Sequence, residues 1–354
     1  MNPFKFGTIV EQEYFTDRVS ETELLKRKLD GENHLVLISP RRFGKSSLVH
    51  KVLSGMKRPH VMVNMQQVLD VRDFSALLLK EVFALYPLEK IRHLMTHFRV
   101  FPQISTNAMT GVFEVSLLPG AKDEAALEDT FALLERVSTP ENRLIVVLDE
   151  FQEVLAIKKG LDKQLRSIIQ KQKGLNYIFL GSQESMMAEI FEKKKSPFYH
   201  FGQLMHLSRI PEDDFRRYIL ERLPETEDAG LVADGILAFT QCHPYYTQQL
   251  GAQVWELMTY DHVRDGVVEK AVLQLVQEHD LDYERLWNSM NRTDRGVLRE
   301  LALGRNPVVQ RTDPASTTYS AIKRLLKSGL VIKEAGYQLE DPFFARWLSG
   351  FVRK

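Results

Sequence analysis

Ser39-Pro40-Arg41-Arg42-Phe43-Gly44-Lys45-Ser46 constrains this chain more than any other segment. It follows a compact buried-strand pattern, Leu35-Val36-Leu37-Ile38-Ser39, and runs into a helical pattern from Lys45 to Leu53. A chain that leaves a buried strand through a short loop into a helix offers backbone N–H groups and a positive helix end to an anion. The spacing matches G-x-x-x-x-G-K-[ST], with the small residue Ser39 in place of the first glycine. Gly44 lets the backbone aim successive N–H groups at phosphate oxygens. Lys45 brings a mobile positive charge to β- and γ-phosphates, and the Ser46 hydroxyl is placed to ligate magnesium. Pro40, Arg41, Arg42, Phe43 and Ser47 complete the expected nucleotide-binding segment. The expected ligands are ATP or ADP with Mg2+.

A loop of this kind cleaves phosphate only with a carboxylate at the end of a neighbouring strand. Leu144-Ile145-Val146-Val147-Leu148-Asp149-Glu150 supplies two. Asp149 reads as the metal-side acid, with Ser46 as its partner on the metal. Glu150 reads as the residue that orients and activates water, so Glu150 and Lys45 are the catalytic candidates. The apolar run His60 to Met65 intervenes between the two motif strands, an expected feature of the P-loop branch that hydrolyses ATP with a catalytic glutamate. That adjacent glutamate argues against a small-molecule kinase. After the next run, Tyr177 to Leu180, Ser182 and Gln183 are polar residues suited to sensing the γ-phosphate or positioning water.

These short apolar runs alternate with helical patterns at Thr22–Leu29, Asp73–Leu85 and Glu124–Val137, with a weaker run at Gln203–Leu207. The alternation predicts an α/β core, a parallel sheet covered on both faces. Gln103 to Leu118 alternates around Thr110-Gly111 and reads as an inserted hairpin. From Pro211 the strand signals stop, and Asp213–Arg222, Leu231–Phe239, Tyr245–Met258 and Val267–Glu278 show helical periodicity. A capped helix from Thr293, a second from Ser316 to Lys327, and runs at Leu330–Lys333 and Tyr337–Leu339 around Ala335-Gly336 follow the order of a winged helix-turn-helix. The expected domains are a core at 1–208, a helical lid at 209–280 and a winged helix at 281–354.

Lys+Arg and Asp+Glu both number 47, so no global charge favours nucleic acid or membrane. A second partner must find a local patch. Residues 281–354 carry 13 Lys and Arg against 8 Asp and Glu. Thr317, Ser320, Lys323, Arg324 and Lys327 occupy polar positions of the candidate recognition helix, a set suited to duplex DNA. Docking of a protein partner, or autoinhibition, is the alternative role for such a module. The single cysteine, Cys242, excludes an internal disulfide and a Cys-cluster zinc site. Met1 to Val10 lacks the pattern of a signal peptide, and no apolar run approaches the ~18 residues that span a bilayer. A cytoplasmic protein is expected.

Pro40 to Ser46, Leu148-Asp149-Glu150-Phe151-Gln152, Gly181-Ser182 and His243-Pro244-Tyr245-Tyr246 resemble the prokaryotic archaeal-type ATPases, near the AAA+ and STAND branches of P-loop proteins. The tail from Tyr337 to Trp347 resembles that family's ending, so the resemblance spans nearly the whole chain. It implies a helical lid with His243-Pro244 near the nucleotide. It also implies a base pocket from the N-terminal segments, with Phe4, Phe15 and Arg18 as candidates; a plain apolar plug is the alternative for the phenylalanines. Members often carry a Gly-Arg pair where this chain has Gly202-Gln203, which leaves no arginine there for an inter-subunit finger. The nearby Lys193-Lys194-Lys195 reads as a solvated face. The resulting expectation is an ATP-hydrolysing molecular switch. A DNA-bound regulator with slow hydrolysis and a non-hydrolysing scaffold are the rivals.

Overall fold

A computed structural model describes residues 1–8, 14–15, 18–106, 113–118, 120, 122–310, 313–334 and 336–352. The chain divides into two compact units: Val19–Ser39 with Leu48–Leu207, and Met1–Arg18 with Pro40–Ser47 and Ser208–Lys354.

The first unit carries strands β1 (Leu35–Ile38), β2 (His60–Asn64), β3 (Pro102–Thr106), β4 (Phe113–Leu117), β5 (Ile145–Asp149), β6 (Asn176–Gly181) and β7 (Gln203–His206). Five of them form one parallel sheet in the order β2-β5-β6-β1-β7. Every residue of β1, β5 and β6 is buried, as expected for strands covered on both faces. The strand between β1 and β5 is therefore β6 and not β2. The expectation that His60–Met65 would intervene needs correction, because order along the chain does not fix order in the sheet. The alternating exposure of β2 carries the signature of its edge position. β3 and β4 pair antiparallel, Thr106 opposite Phe113, as the inserted hairpin was expected to do. Its Thr110-Gly111 turn lies outside the described residues.

Helices α1 (Val19–Asp30), α2 (Lys45–Gly55), α3 (Val71–Leu85), α4 (Leu88–Ile91), α5 (Asp123–Val137), α6 (Val154–Ile157), α7 (Leu161–Ile169) and α8 (Glu184–Phe191) connect these strands. Asp70 starts α3 by accepting the N–H groups of Arg72 and Asp73, and those backbone bonds hold its carboxyl below the usual range. Phe74 of α3 and Phe131 of α5 meet inside the core of this unit.

The second unit is helical: α9 (Glu212–Leu220), α10 (Ala229–Thr240), α11 (Pro244–Thr259), α12 (Val267–Glu278), α13 (Asp280–Ser289), α14 (Arg292–Ala302), α15 (Ala315–Ser328) and α16 (Pro342–Val352), with a hairpin of β8 (Val331–Lys333) and β9 (Tyr337–Leu339). The run α14-α15-β8-β9 is a winged helix-turn-helix, and Gly329 stops α15 with φ 77°. One apolar core joins Phe215, Ile236 and Leu250 of α9, α10 and α11 to Leu298, Ile322 and Phe343 of α14, α15 and α16. Asp341 caps α16 by accepting from Phe343 and Phe344 N–H at 2.8 and 3.1 Å, with Pro342 at the first helical position. No helix among the described residues is long and apolar enough to cross a membrane.

Candidate functional site

The chain leaves β1 at Ile38, and fully buried Ser39 donates its N–H to the Gly181 carbonyl at 3.3 Å. In the loop that follows, Arg42 and Gly44 adopt φ of 65° and 84°, while Phe43 between them stays at negative φ. Such an alternation of sign turns consecutive N–H groups toward a common concavity, an anion-binding nest. Gly44 takes this conformation without strain; Arg42 requires outside support. Lys45 opens α2, is only 6% exposed, and donates from Nζ to the Pro40 carbonyl at 2.9 Å. Its ammonium is thus held within the loop it serves.

Three contacts hold the loop from within the helical unit. Phe43 is buried with its ring edge-on to His243 at 4.7 Å. Arg18 is also buried, and its Nη2 donates to the carbonyls of Phe43 at 3.3 Å and Ser208 at 2.8 Å. The Arg42 guanidinium stacks over Tyr245 at 4.6 Å and donates to the Tyr246 hydroxyl at 2.9 Å.

The acids belong to the sheet unit. Parallel strands bring Ser39, Asp149 and Ser182 to the same carboxyl edge of the sheet. Asp149 is 8% exposed, and its Oδ1 accepts the N–H of Glu150 at 2.9 Å. Glu150 is left-handed, with φ 52° and ψ 45°, a conformation that costs a side-chain-bearing residue about 1–2 kcal/mol. The next residue fixes the turn: Phe151 is fully buried against Phe179, Phe198 and Phe191, with ring centres 4.6, 5.3 and 5.8 Å away. Glu150 Oε2 accepts from both Ser182 Oγ and Gln152 Nε2, each at 2.5 Å. One carboxylate oxygen is pinned, leaving the lone pairs of Oε1 to serve a water. Gln183 begins α8 without a side-chain cap bond.

The donor chemistry suits magnesium that arrives on a nucleotide. Such an ion takes one or two carboxylates beside the phosphates, and within the sheet unit Asp149 is a carboxylate of that kind. Among the described residues no three His, Cys, Asp or Glu side chains gather into a cage for a metal held by protein alone.

His243 is 0% exposed and caps α11, its Nδ1 accepting from Tyr245 N–H at 3.3 Å. The proton of the neutral ring therefore sits on Nε2, 3.3 Å from Glu340 Oε1. Burial pushes the pKa of this imidazole down, which keeps it neutral. His243 meets the loop through Phe43 rather than by presenting a nitrogen to it. Phe4 is buried in the helical core, edge-on to Tyr218, and a Cβ at Gly251 would lie 2.7 Å from its ring. Its ring serves as the apolar plug. Phe15 is half-buried.

On α15, Thr317, Ser320, Lys323 and Lys327 are exposed. Arg324 is exposed as well, its side chain 52% so, and its Nη2 donates to Asp294 Oδ1 at 2.7 Å. Gln152 holds Glu150 within the sheet unit, and Tyr246 and Glu340 hold Arg42 within the helical unit, although no sequence periodicity singles them out. Their one signal is membership in the motif blocks around Asp149, Pro244 and Pro342.

No family model and no curated protein matches this chain. Among solved structures, it is similar to the Walker-type ATPase Paby2304 of Pyrococcus abyssi, with TM-score 0.66 and 17% identity over 98% of this chain and 99% of that one. It is similar to the Aeropyrum pernix ORC2 protein solved in ADPNP-ADP complexes, with TM-score 0.57 and 15% identity over 99% of this chain and 100% of that one. It is also similar to the Aeropyrum pernix ORC1 protein solved in complex with DNA, with TM-score 0.50 and 14% identity over 95% and 93%. The resemblance read from the motifs is thus matched in three dimensions, and the chain shares the fold of these proteins over nearly its whole length.

Proposed function

We propose that this chain binds ATP with magnesium, hydrolyses it, and uses the nucleotide state as a switch read by its helical and winged-helix elements. The observation that carries this reading is the loop itself: a strand-to-helix turn with φ of 65° and 84° at Arg42 and Gly44 and a buried Lys45 at the helix start. Backbone N–H groups and the α2 terminus bind the phosphates, and Lys45 exchanges the Pro40 carbonyl for phosphate oxygen. Ser46 and Asp149 are the residues that would hold magnesium, which would supply positive charge to the phosphate oxygens. Glu150, pinned by Ser182 and Gln152, orients the attacking water, and a rigid mount favours correct alignment at the phosphorus. Differential affinity for ATP and ADP then shifts the population between two arrangements.

Two features support duplex DNA as a further partner: the exposed hydroxyls and lysines of α15, and a fold shared with an ORC1 protein solved in complex with DNA. A protein partner on the same helix is the alternative, and retention of ADP without turnover is the rival to hydrolysis. Equilibrium titration with a fluorescent ATP analogue tests the central reading. Lys45→Ala should lose tight binding while remaining folded; wild-type affinity in that variant would sink the P-loop assignment.

A further inference from the structure

The phosphate loop and the C-terminal end of the wing are joined by a chain of polar contacts that nucleotide binding by itself does not require. Arg42 Nη1 donates to the Tyr246 hydroxyl at 2.9 Å, and that hydroxyl donates to Glu340 Oε2 at 2.6 Å. The other oxygen of the same carboxylate, Oε1, lies 3.3 Å from His243 Nε2 without completing a hydrogen bond, and the His243 ring packs on Phe43. Glu340 thus reaches two neighbouring loop residues, 42 and 43, by two routes. Its side chain is 11% exposed and Tyr246 is 1% exposed, so both routes run through groups shielded from water. Shielding strengthens each link and raises the cost of breaking one.

Arg42 gives the contact its consequence. Its left-handed backbone is unfavourable for a residue with a side chain, and the nest depends on that backbone. The side chain is caught between Tyr245 and Tyr246, with Glu340 as the only carboxylate in the chain of contacts. Glu340 lies directly after β9 and directly before Asp341, which caps α16. A second tie runs in parallel: Arg209 pairs with Glu334 of the hairpin at 2.9 Å and donates to the Gln241 carbonyl at 2.8 Å. Gln241 and Cys242, both at positive φ, lead into His243. The hairpin and the residues that touch the loop are therefore fastened at two points.

We propose that Glu340 is a positioning residue of the phosphate loop, acting through Tyr246 on Arg42 and through His243 on Phe43. Through this link nucleotide affinity and the anchoring of the wing depend on one another. The inference rests on the reading of the loop as a nucleotide site. Coupling of this kind is reciprocal: if Glu340 strengthens nucleotide binding, nucleotide must strengthen the contacts of Glu340 by the same factor.

The test uses the full chain and a fluorescent ATP analogue with magnesium. Tyr246→Phe removes the central hydroxyl and keeps the ring; Glu340→Gln removes the charge and keeps an acceptor; Glu340→Ala removes both. Tyr246→Phe and Glu340→Ala should each weaken binding by about tenfold, the scale of one charge-assisted hydrogen bond, with Glu340→Gln intermediate. The double variant Tyr246→Phe/Glu340→Ala should bind less weakly than the product of the two single effects, because the Tyr246 hydroxyl and Glu340 act in one chain of contacts. In the unmodified chain, ATP should slow hydrogen exchange of the amides from Tyr337 to Trp347. Wild-type affinity in folded Tyr246→Phe and Glu340→Ala, or unchanged exchange on adding ATP, would overturn the inference and leave the nucleotide site standing. Failure of the unmodified chain to bind the analogue would overturn both.

Discussion

Acid should loosen the sheet unit through one imidazole. His34 directly precedes β1, with its ring edge-on to Tyr177 at 5.3 Å, tilted against Phe201 at 4.7 Å, and Nδ1 accepting the Tyr177 N–H at 3.3 Å. Burial, aided by the Arg166 guanidinium, lowers its pKa to about 4. In the unfolded chain the value returns to about 6.5, so the unfolded state binds the proton more tightly. The neutral ring's contribution is complete above pH 7 and is lost as pH falls from about 6.5 toward 4. At ~1.36 kcal/mol per pKa unit the whole shift is worth about 3 kcal/mol, of which about 2 kcal/mol has gone by pH 5. His34→Asn keeps an acceptor for Tyr177 and does not titrate. All three tryptophans, Trp255, Trp287 and Trp347, lie in the helical unit, so their fluorescence is a poor monitor of the sheet. Hydrogen exchange of β1 and β6 amides reports it directly, and comparing variant with wild type at each pH cancels the intrinsic exchange rate. Between pH 8 and pH 5 the wild type should lose about 2 kcal/mol more protection than His34→Asn. Equal losses would refute the assignment of the proton-binding difference to His34.

Glu150→Gln should retain magnesium-ATP binding and stop phosphate release, since it removes the water-orienting carboxylate and leaves Asp149 in place; unchanged release would mean that another residue orients the water. On α15, changing Lys323 and Lys327 together to Ala should weaken DNA binding and flatten log K against log salt by up to about two units, read by anisotropy at several salt concentrations. Absence of DNA binding at low salt with either ATP or ADP would move α15 to a protein-docking role. Arg324→Ala should cost at most about 1 kcal/mol of stability in thermal unfolding, because the pair is half-exposed and Asp294 keeps the Asn291 side-chain amide as a donor.

Much of this architecture was legible because it is written in local chemistry. Runs such as Leu35–Ile38 and Leu144–Leu148 can be satisfied only as buried strands, and Gly44-Lys45-Ser46 has a narrow chemical meaning wherever a strand precedes it and a helix follows. The winged helix was readable for the same reason: amphipathic spacing in α14 and α15, a glycine stop at Gly329, and two short runs around a turn. Helices α13 and α16 escaped because their apolar residues pack on neighbours that the chain does not bring into one window.

Sequence by itself therefore determined the strand–loop–helix setting of Ser39 to Ser46 and the place of Asp149-Glu150 at a strand end, since each depends on residues within a few positions of one another. Tertiary structure decided which strand lies between β1 and β5, because sheet order depends on crossovers between distant segments. It paired Arg324 with Asp294, 30 residues away. It also set Ser182 on Glu150 across 32 residues and Glu340 on Tyr246 across 94. A hydrogen bond acts over about 3 Å whatever the separation along the chain, so only the folded chain reveals who holds whom.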